Sequence, residues 1–185
     1  MKLAGAIVLC YLIGSIPFSY IFTRMLTKQD IRTRGSGNVG ATNVLRTSGP
    51  WVALPALLGD VLKGVMAGFI TLYGESWYYV VFCPLATVFG HCYPLTLKLQ
   101  GGKGVATAAG VLLVLAPGVC AIEASIFALV IAVSRYVSLG SVSAAMLLPV
   151  VMIIMNKPWP YLAAGSLMGI LVVYRHRSNI LRLRK

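Results

Sequence analysis

RGSGNVGATNVLR, residues 34–46, sets three glycines, two asparagines, a serine and a threonine between two arginines. Gly35-Ser36-Gly37-Asn38-Val39-Gly40 matches the G-x-G-x-x-G dinucleotide fingerprint, and Asp60 follows at the spacing of its ribose-binding acid. A true match would make the chain an α/β protein. The fingerprint needs an apolar strand before it, but what stands there is TKQDIRTR, residues 27–34, which is polar but for Ile31. Asp60 lies inside an apolar run beside Lys63, out of reach of a ribose. The doubly wound reading therefore fails, and the apolar runs on either side decide the fold.

Those runs dominate the chain. Of its 185 residues 58% are hydrophobic and only 11% are charged, and the mean hydropathy is +0.86. This composition excludes an ordinary soluble domain and fits one integral-membrane domain over residues 1–185. Spans are expected at 3–22, 51–73, 78–97, 105–116, 119–134, 137–156 and 160–174. Several are shorter than the usual twenty or so residues, which implies thin or tilted packing. The first reads as a span, with a signal peptide the weaker alternative because no small-residue cleavage site follows it. Residues 105–134 read as one long helix or as two split at Pro117-Gly118.

Charge decides between these. Sixteen Lys and Arg face four Asp and Glu, a net charge of +12. With seven spans, thirteen of the basic residues fall on one side, from Arg24 and Lys28 through Arg135 to Arg184 and Lys185. Only Lys2 and Lys157 fall on the other, and Lys63 is inside a span. Six spans would move Arg135 and the five-cation tail to the wrong face. The positive-inside rule thus predicts an all-α polytopic protein of seven transmembrane helices, N-terminus outside and C-terminus cytoplasmic. Cations this clustered between apolar runs do not suit nucleic acid. Cys10, Cys83, Cys92 and Cys120 lack metal or disulfide spacing and read as buried thiols.

The topology gathers four unusual segments on the cytoplasmic face: 34–46, LQGGKG at 99–104, RYVSLGS at 135–141, and RHRSN at 175–179. LQGGKG fails the Walker A test because Gly104 follows Lys103 where Ser or Thr is required. It does present glycine amides, a cation and a helix start, the elements of an anion nest. Arg46 suits bidentate phosphate binding. Within the spans, Asp60 and Lys63 can pair three residues apart, as a structural ion pair or as a functional one. Glu123 is expected to reach the outer interface. His91 reads either as a packing residue or as a base, and His176 as an anion ligand. No elbow, zincin or aspartate-rich motif is present, and neither metal nor cofactor is called for.

GSGNVGATNVLR, GHCYPLTLKLQGGKGVATAAG and YRHRSNILRL, in this order in a seven-span chain, resemble the bacterial acyl-phosphate:glycerol-3-phosphate acyltransferases, the PlsY family. The likeness covers essentially the whole chain. Val39 departs from it, standing where the family more usually has proline. The resemblance implies transfer of a fatty acyl group from acyl phosphate to the 1-hydroxyl of glycerol 3-phosphate, giving lysophosphatidic acid and inorganic phosphate. It implies a bacterial inner-membrane enzyme with its site on the cytoplasmic face and membrane lipids as its surroundings, without nucleic acid or an obligate protein partner. Ser36, Arg46, Lys103 and His176 are expected to be catalytic. Gly101, Gly102 and Gly104 amides, with Lys103, would hold the acyl-phosphate phosphate. Ser141 and Asn179 would join Ser36, Arg46 and His176 on glycerol 3-phosphate, with Asn38, Thr42 and Asn43 shaping the pocket and His91 and Thr107 further substrate contacts. The proton acceptor stays open between a substrate phosphate oxygen, His176 and His91. The competing class is a transporter or channel for an organic anion or phosphate, but no inverted repeat is apparent.

Overall fold

The apolar runs all fold as helix. In the computed structural model, residues 2–183 are described, so Arg184 and Lys185 of the basic tail lie outside them. Ten α-helices follow in order: α1 (Leu3–Gly14), α2 (Phe18–Thr27), α3 (Ala41–Ser48), α4 (Pro50–Leu72), α5 (Trp77–Cys92), α6 (Val105–Leu115), α7 (Pro117–Ser134), α8 (Val137–Ile154), α9 (Trp159–Arg175) and α10 (Arg177–Leu183). Strands are absent among the described residues.

Among the described residues, five segments are long and apolar enough to cross a membrane: Leu3–Thr27, Pro50–Leu72, Trp77–Leu97, Pro117–Ser134 and Val137–Ile154. The other two expected crossings coincide with α6, of 11 residues, and α9, of 17. The outward faces are apolar, with Val133, Ile154 and Ile170 well exposed. In water this surface would be an aggregation site, whereas in a bilayer it is the solvent-facing side. The long 105–134 run resolves into two helices that meet at Ala116, because Pro117 has no N–H to continue α6 and opens α7 instead.

The first expected span, 3–22, falls within the candidate crossing Leu3–Thr27, but not as one continuous helix. It breaks at Ser15-Ile16-Pro17, where Pro17 cannot donate to the helix ladder. At the break, the Ile16 carbonyl accepts from the buried Lys63 Nζ at 3.0 Å. A polar side chain of α4 thus satisfies backbone that the proline exposes inside an apolar layer.

Small residues let the helices touch backbone to backbone. A Cβ on Gly64 of α4 would lie 2.1 Å from the Thr107 carbonyl oxygen of α6, and one on Gly110 would lie 2.0 Å from that of Val61. In lipid, where apolar surface gives helices no reason to prefer each other, this close approach supplies the packing energy. Gly110→Ala is therefore expected to destabilise the folded protein by about 1–3 kcal/mol, since the obstacle is backbone and cannot rotate away. Thermal unfolding in detergent measures it, and an unchanged midpoint would contradict the packing.

Candidate active site

The 34–46 stretch is organised by one side chain. Asn43 is buried, and its Nδ2 donates to the carbonyls of Arg34 and Asn38, both at 3.0 Å, and of Ile31 at 3.4 Å. Its Oδ1 accepts from the Ser36 amide at 3.0 Å. Asn43 is therefore fully occupied in holding the loop. Gly35 closes against it with φ +57°, where a Cβ would sit 2.3 Å from Asn43 Oδ1. What the loop presents outward is Ser36, Asn38, Thr42 and Arg46, which line a cavity of about 360 Å³.

The second glycine segment forms the facing wall, in an arrangement that corrects the sequence reading. The Gly101 and Gly102 amides donate to the carbonyls of Cys92 and His91, at 3.2 and 3.1 Å, so they are already spent on protein. Their own carbonyls accept from Arg175, Nη2 to Gly101 at 3.0 Å and Nε to Gly102 at 3.1 Å. Arg175 also lies over the Tyr93 ring at 4.8 Å. Gly101 and Gly102 are thus a clamped turn rather than an anion nest. The free donors come next. Gly104 turns the chain at φ +86°, and Val105 and Ala106 precede the first helical bond, Ala108 N to Gly104 O at 2.8 Å. All three residues line the cavity, at the positive end of α6.

Lys103 projects from this turn and donates to Asn179 Oδ1, which also accepts from Arg182 at 3.3 Å. Burial, reinforced by the positive charges of Arg182, Arg175 and Arg46, pulls Lys103 down to about 8. Among the described residues, no carboxylate pairs with Lys103, Arg46, Arg175 or Arg182. His176 is buried at the end of α9, and its Nδ1 lies 2.8 Å from the Val172 carbonyl. A carbonyl only accepts, so Nδ1 carries the proton and Nε2 keeps its lone pair. Burial, with Lys103 and Arg175 nearby, lowers His176 to about 4, so the ring is neutral at pH 7. Ser141, on α8, also lines the cavity and donates to Val137 O at 3.0 Å.

Three further expectations are revised. Thr107 is fully buried on the α4 side of α6, away from the cavity walls, and its hydroxyl finds no partner. His91 reaches the cavity edge, but its Nδ1 faces Asp60 Oδ1 at 3.4 Å and its Nε2 lies against Gly102. Glu123 is buried on the cavity wall and does not reach the interface. Arg175, the loop clamp, was missed because its partners Gly101 and Gly102 lie far away in sequence; Arg182 was missed as well, although Asn179, to which it donates, stands one helical turn before it. From the cationic end the cavity runs between α6, α7, α8 and α9 past Leu112, Phe127, Leu148 and Met168, which are apolar.

A cationic mouth opening into an apolar bore between apolar helices is the form of cavity that, in a membrane protein, would suit a molecule with an anionic head and an apolar tail. The family model described as glycerol-3-phosphate acyltransferase matches residues 4–185. The chain is 58% identical over 184 residues to the glycerol-3-phosphate acyltransferase of Syntrophomonas wolfei, covering 100% of this chain and 94% of that one. It is 44% identical to that of Myxococcus xanthus, covering 98% and 96%. The crystal structure of PlsY (YgiH), an integral membrane glycerol 3-phosphate acyltransferase, in its glycerol 3-phosphate form, superposes with a TM-score of 0.91. The two share 36% identity, over 98% of this chain and 91% of that one. Its lysophosphatidic acid form gives 0.89. The chain belongs to the glycerol-3-phosphate acyltransferase family, and within it to the PlsY membrane enzymes.

The clamp makes a direct prediction. A Cβ on Gly102 would lie 2.1 Å from His91 Nε2 and 2.6 Å from the Val39 carbonyl. Gly102→Ala should fold yet lose at least tenfold in acyltransferase activity, because a displacement of about 1 Å at a positioning loop costs that much or more. Wild-type turnover in this variant would show that the loop's position is not critical.

Proposed function

We propose that the protein transfers a fatty acyl group from acyl phosphate to the 1-hydroxyl of glycerol 3-phosphate, releasing lysophosphatidic acid and inorganic phosphate. The observation that carries this is the set of cations without counter-ions at the mouth of an apolar cavity. Both substrates and the released phosphate are anions, and the acyl chain needs the apolar bore. The site faces the cytoplasm of a seven-span protein in the bacterial inner membrane. The charge asymmetry of the loops supports that orientation, since Arg46, Lys103 and Arg182 sit at the same end of the cavity.

In the reaction, the glycerol 3-phosphate hydroxyl oxygen attacks the acyl carbonyl carbon, the bond from that carbon to the phosphate oxygen breaks, and phosphate leaves. Acyl phosphate is already activated, so the enzyme has only to position the nucleophile and stabilise developing charge. Lys103 and the Gly104, Val105 and Ala106 amides hold the donor phosphate and its leaving charge. Ser36, Arg46, Ser141 and Asn179 orient glycerol 3-phosphate, and Nε2 of His176 accepts from its hydroxyl. Held near 4, His176 aligns the hydroxyl but is a weak base, so the proton passes to a substrate phosphate oxygen.

Detergent-solubilised protein given palmitoyl phosphate and glycerol 3-phosphate should release phosphate without a sealed compartment. Release only with acyl thioesters would overturn the donor. Lys103→Ala and Arg46→Ala, in folded protein, should each cost about a hundredfold or more. Because Lys103 is charged only below about 8, inhibition by added inorganic phosphate should weaken as pH rises through that value. A flat profile from pH 7 to about 9 would remove Lys103 from the anion site.

A further inference from the structure

A second cavity, of about 10 Å³, lies against His91, apart from the bore. Its walls are the α1–α2 break at Ser15-Ile16-Pro17, Asp60 and Lys63 of α4, and the clamped glycines of the loop. That is about the room one water molecule needs. The wall is polar at several points. Ser15, Ser19, Asp60, Lys63 and His91 all contribute to it, and each is more than nine-tenths buried.

Two side-chain atoms of these residues lack a hydrogen-bond partner within the protein, Ser15 Oγ and Asp60 Oδ1. Asp60 Oδ1 has only its ionic contacts, Lys63 Nζ at 2.9 Å and His91 Nδ1 at 3.4 Å. Lys63 carries three protons, of which the Ile16 carbonyl and Asp60 take two. Ser15 is the odder case. Buried hydroxyls in this protein commonly turn back to the carbonyl four residues earlier, as those of Thr23, Thr71 and Thr87 do. Ser15 forgoes that bond at the end of α1, although burying a hydroxyl with no partner is costly.

Charge and size fix what such a site takes. Asp60 and Lys63 neutralise each other, so an added cation finds no spare counter-charge and an anion meets the carboxylate. The volume excludes anything much larger than a single heavy atom. What remains is a small neutral molecule that both donates and accepts. We propose that this cavity is the binding site of one structural water, which accepts from the Ser15 hydroxyl and donates to Asp60 Oδ1. The spare Lys63 proton is its third partner, and three is the usual number for a buried water. The water completes the ion pair from the side of α1 and joins the proline break to α4. It does so whichever acyl donor the enzyme uses.

Two measurements on the purified full chain test this. In an experimental structure at about 2 Å or better, one water peak should lie about 2.6–3.2 Å from both Ser15 Oγ and Asp60 Oδ1. A map that resolves other buried waters but none here overturns the proposal. So does a peak that gains anomalous signal in rubidium or bromide, which would make the occupant an ion. The second measurement is thermal unfolding of Ser15→Ala in detergent. If the hydroxyl holds a water, its loss should lower the midpoint by about 2–4 °C. If the cavity is dry, the substitution only removes an unsatisfied buried hydroxyl, so an unchanged or raised midpoint overturns the proposal. Should Ser15→Ala fail to fold, the wild-type density decides alone.

Discussion

Asp60 and Lys63 meet at 2.9 Å on one face of α4, almost wholly buried among apolar helices. Two charges in such a place repay their desolvation only if every remaining donor and acceptor is used, and loss of one partner leaves an uncompensated ion costing about 3–5 kcal/mol. The surroundings go most of the way, with Asp60 Oδ1 held within the protein by its ion-pair contacts alone. Ser19 of α2 donates to Asp60 Oδ2 at 3.1 Å, His91 of α5 faces Oδ1, and Lys63 reaches the Ile16 carbonyl at the proline break. His91 in turn lies under Gly102, and its carbonyl holds the Gly102 amide. A single ion pair thus ties the α1–α2 break, α4, α5 and the glycine loop into one arrangement. Lys103 and the start of α6 take their positions from it.

Above this paired layer the mouth of the cavity is left unpaired. Arg46, Lys103, Arg175 and Arg182 stand close enough for three of them to depress the fourth, with burial the larger cause. Such an arrangement is costly to an empty protein and favourable to one holding phosphate, which is how an anion site gains affinity from its own strain. Arg175 differs from the others, because its fork is spent on two carbonyls and one ring. It contributes charge to the site while acting as the strut of the loop.

Much of this was legible in the chain. The apolar runs and Pro117 marked the helices, and the i, i+3 spacing of Asp60 and Lys63 announced their pairing. The polar segments 34–46, 99–104, 135–141 and 175–179 do each send residues toward one cavity or its supporting loop. What escaped were facts about direction. Glycine content marked 101–104 as a close approach of backbone, but whether its amides face an anion or the carbonyls of Cys92 and His91 is decided by packing against α5. Thr107 is two residues from cavity-lining Val105, yet helical rotation turns it to α4. Glu123 looked interfacial from its place near the start of α7, and only the neighbouring α6 and α8 bury it. The Ser15–Pro17 break escaped too, since the lysine that satisfies its backbone lies far along the sequence.

The central claim is that one cationic mouth, built on the Asp60–Lys63 layer, binds the phosphate of glycerol 3-phosphate and directs its free hydroxyl toward the apolar bore. The most direct measurement is an experimental structure of the protein with glycerol 3-phosphate bound. The phosphate should lie within about 3 Å of donors from Arg46 and its loop, with the 1-hydroxyl turned toward His176 Nε2 and the mouth of the bore. Density for the phosphate outside this mouth, with Arg46 and Lys103 still free of ligand, would contradict the account.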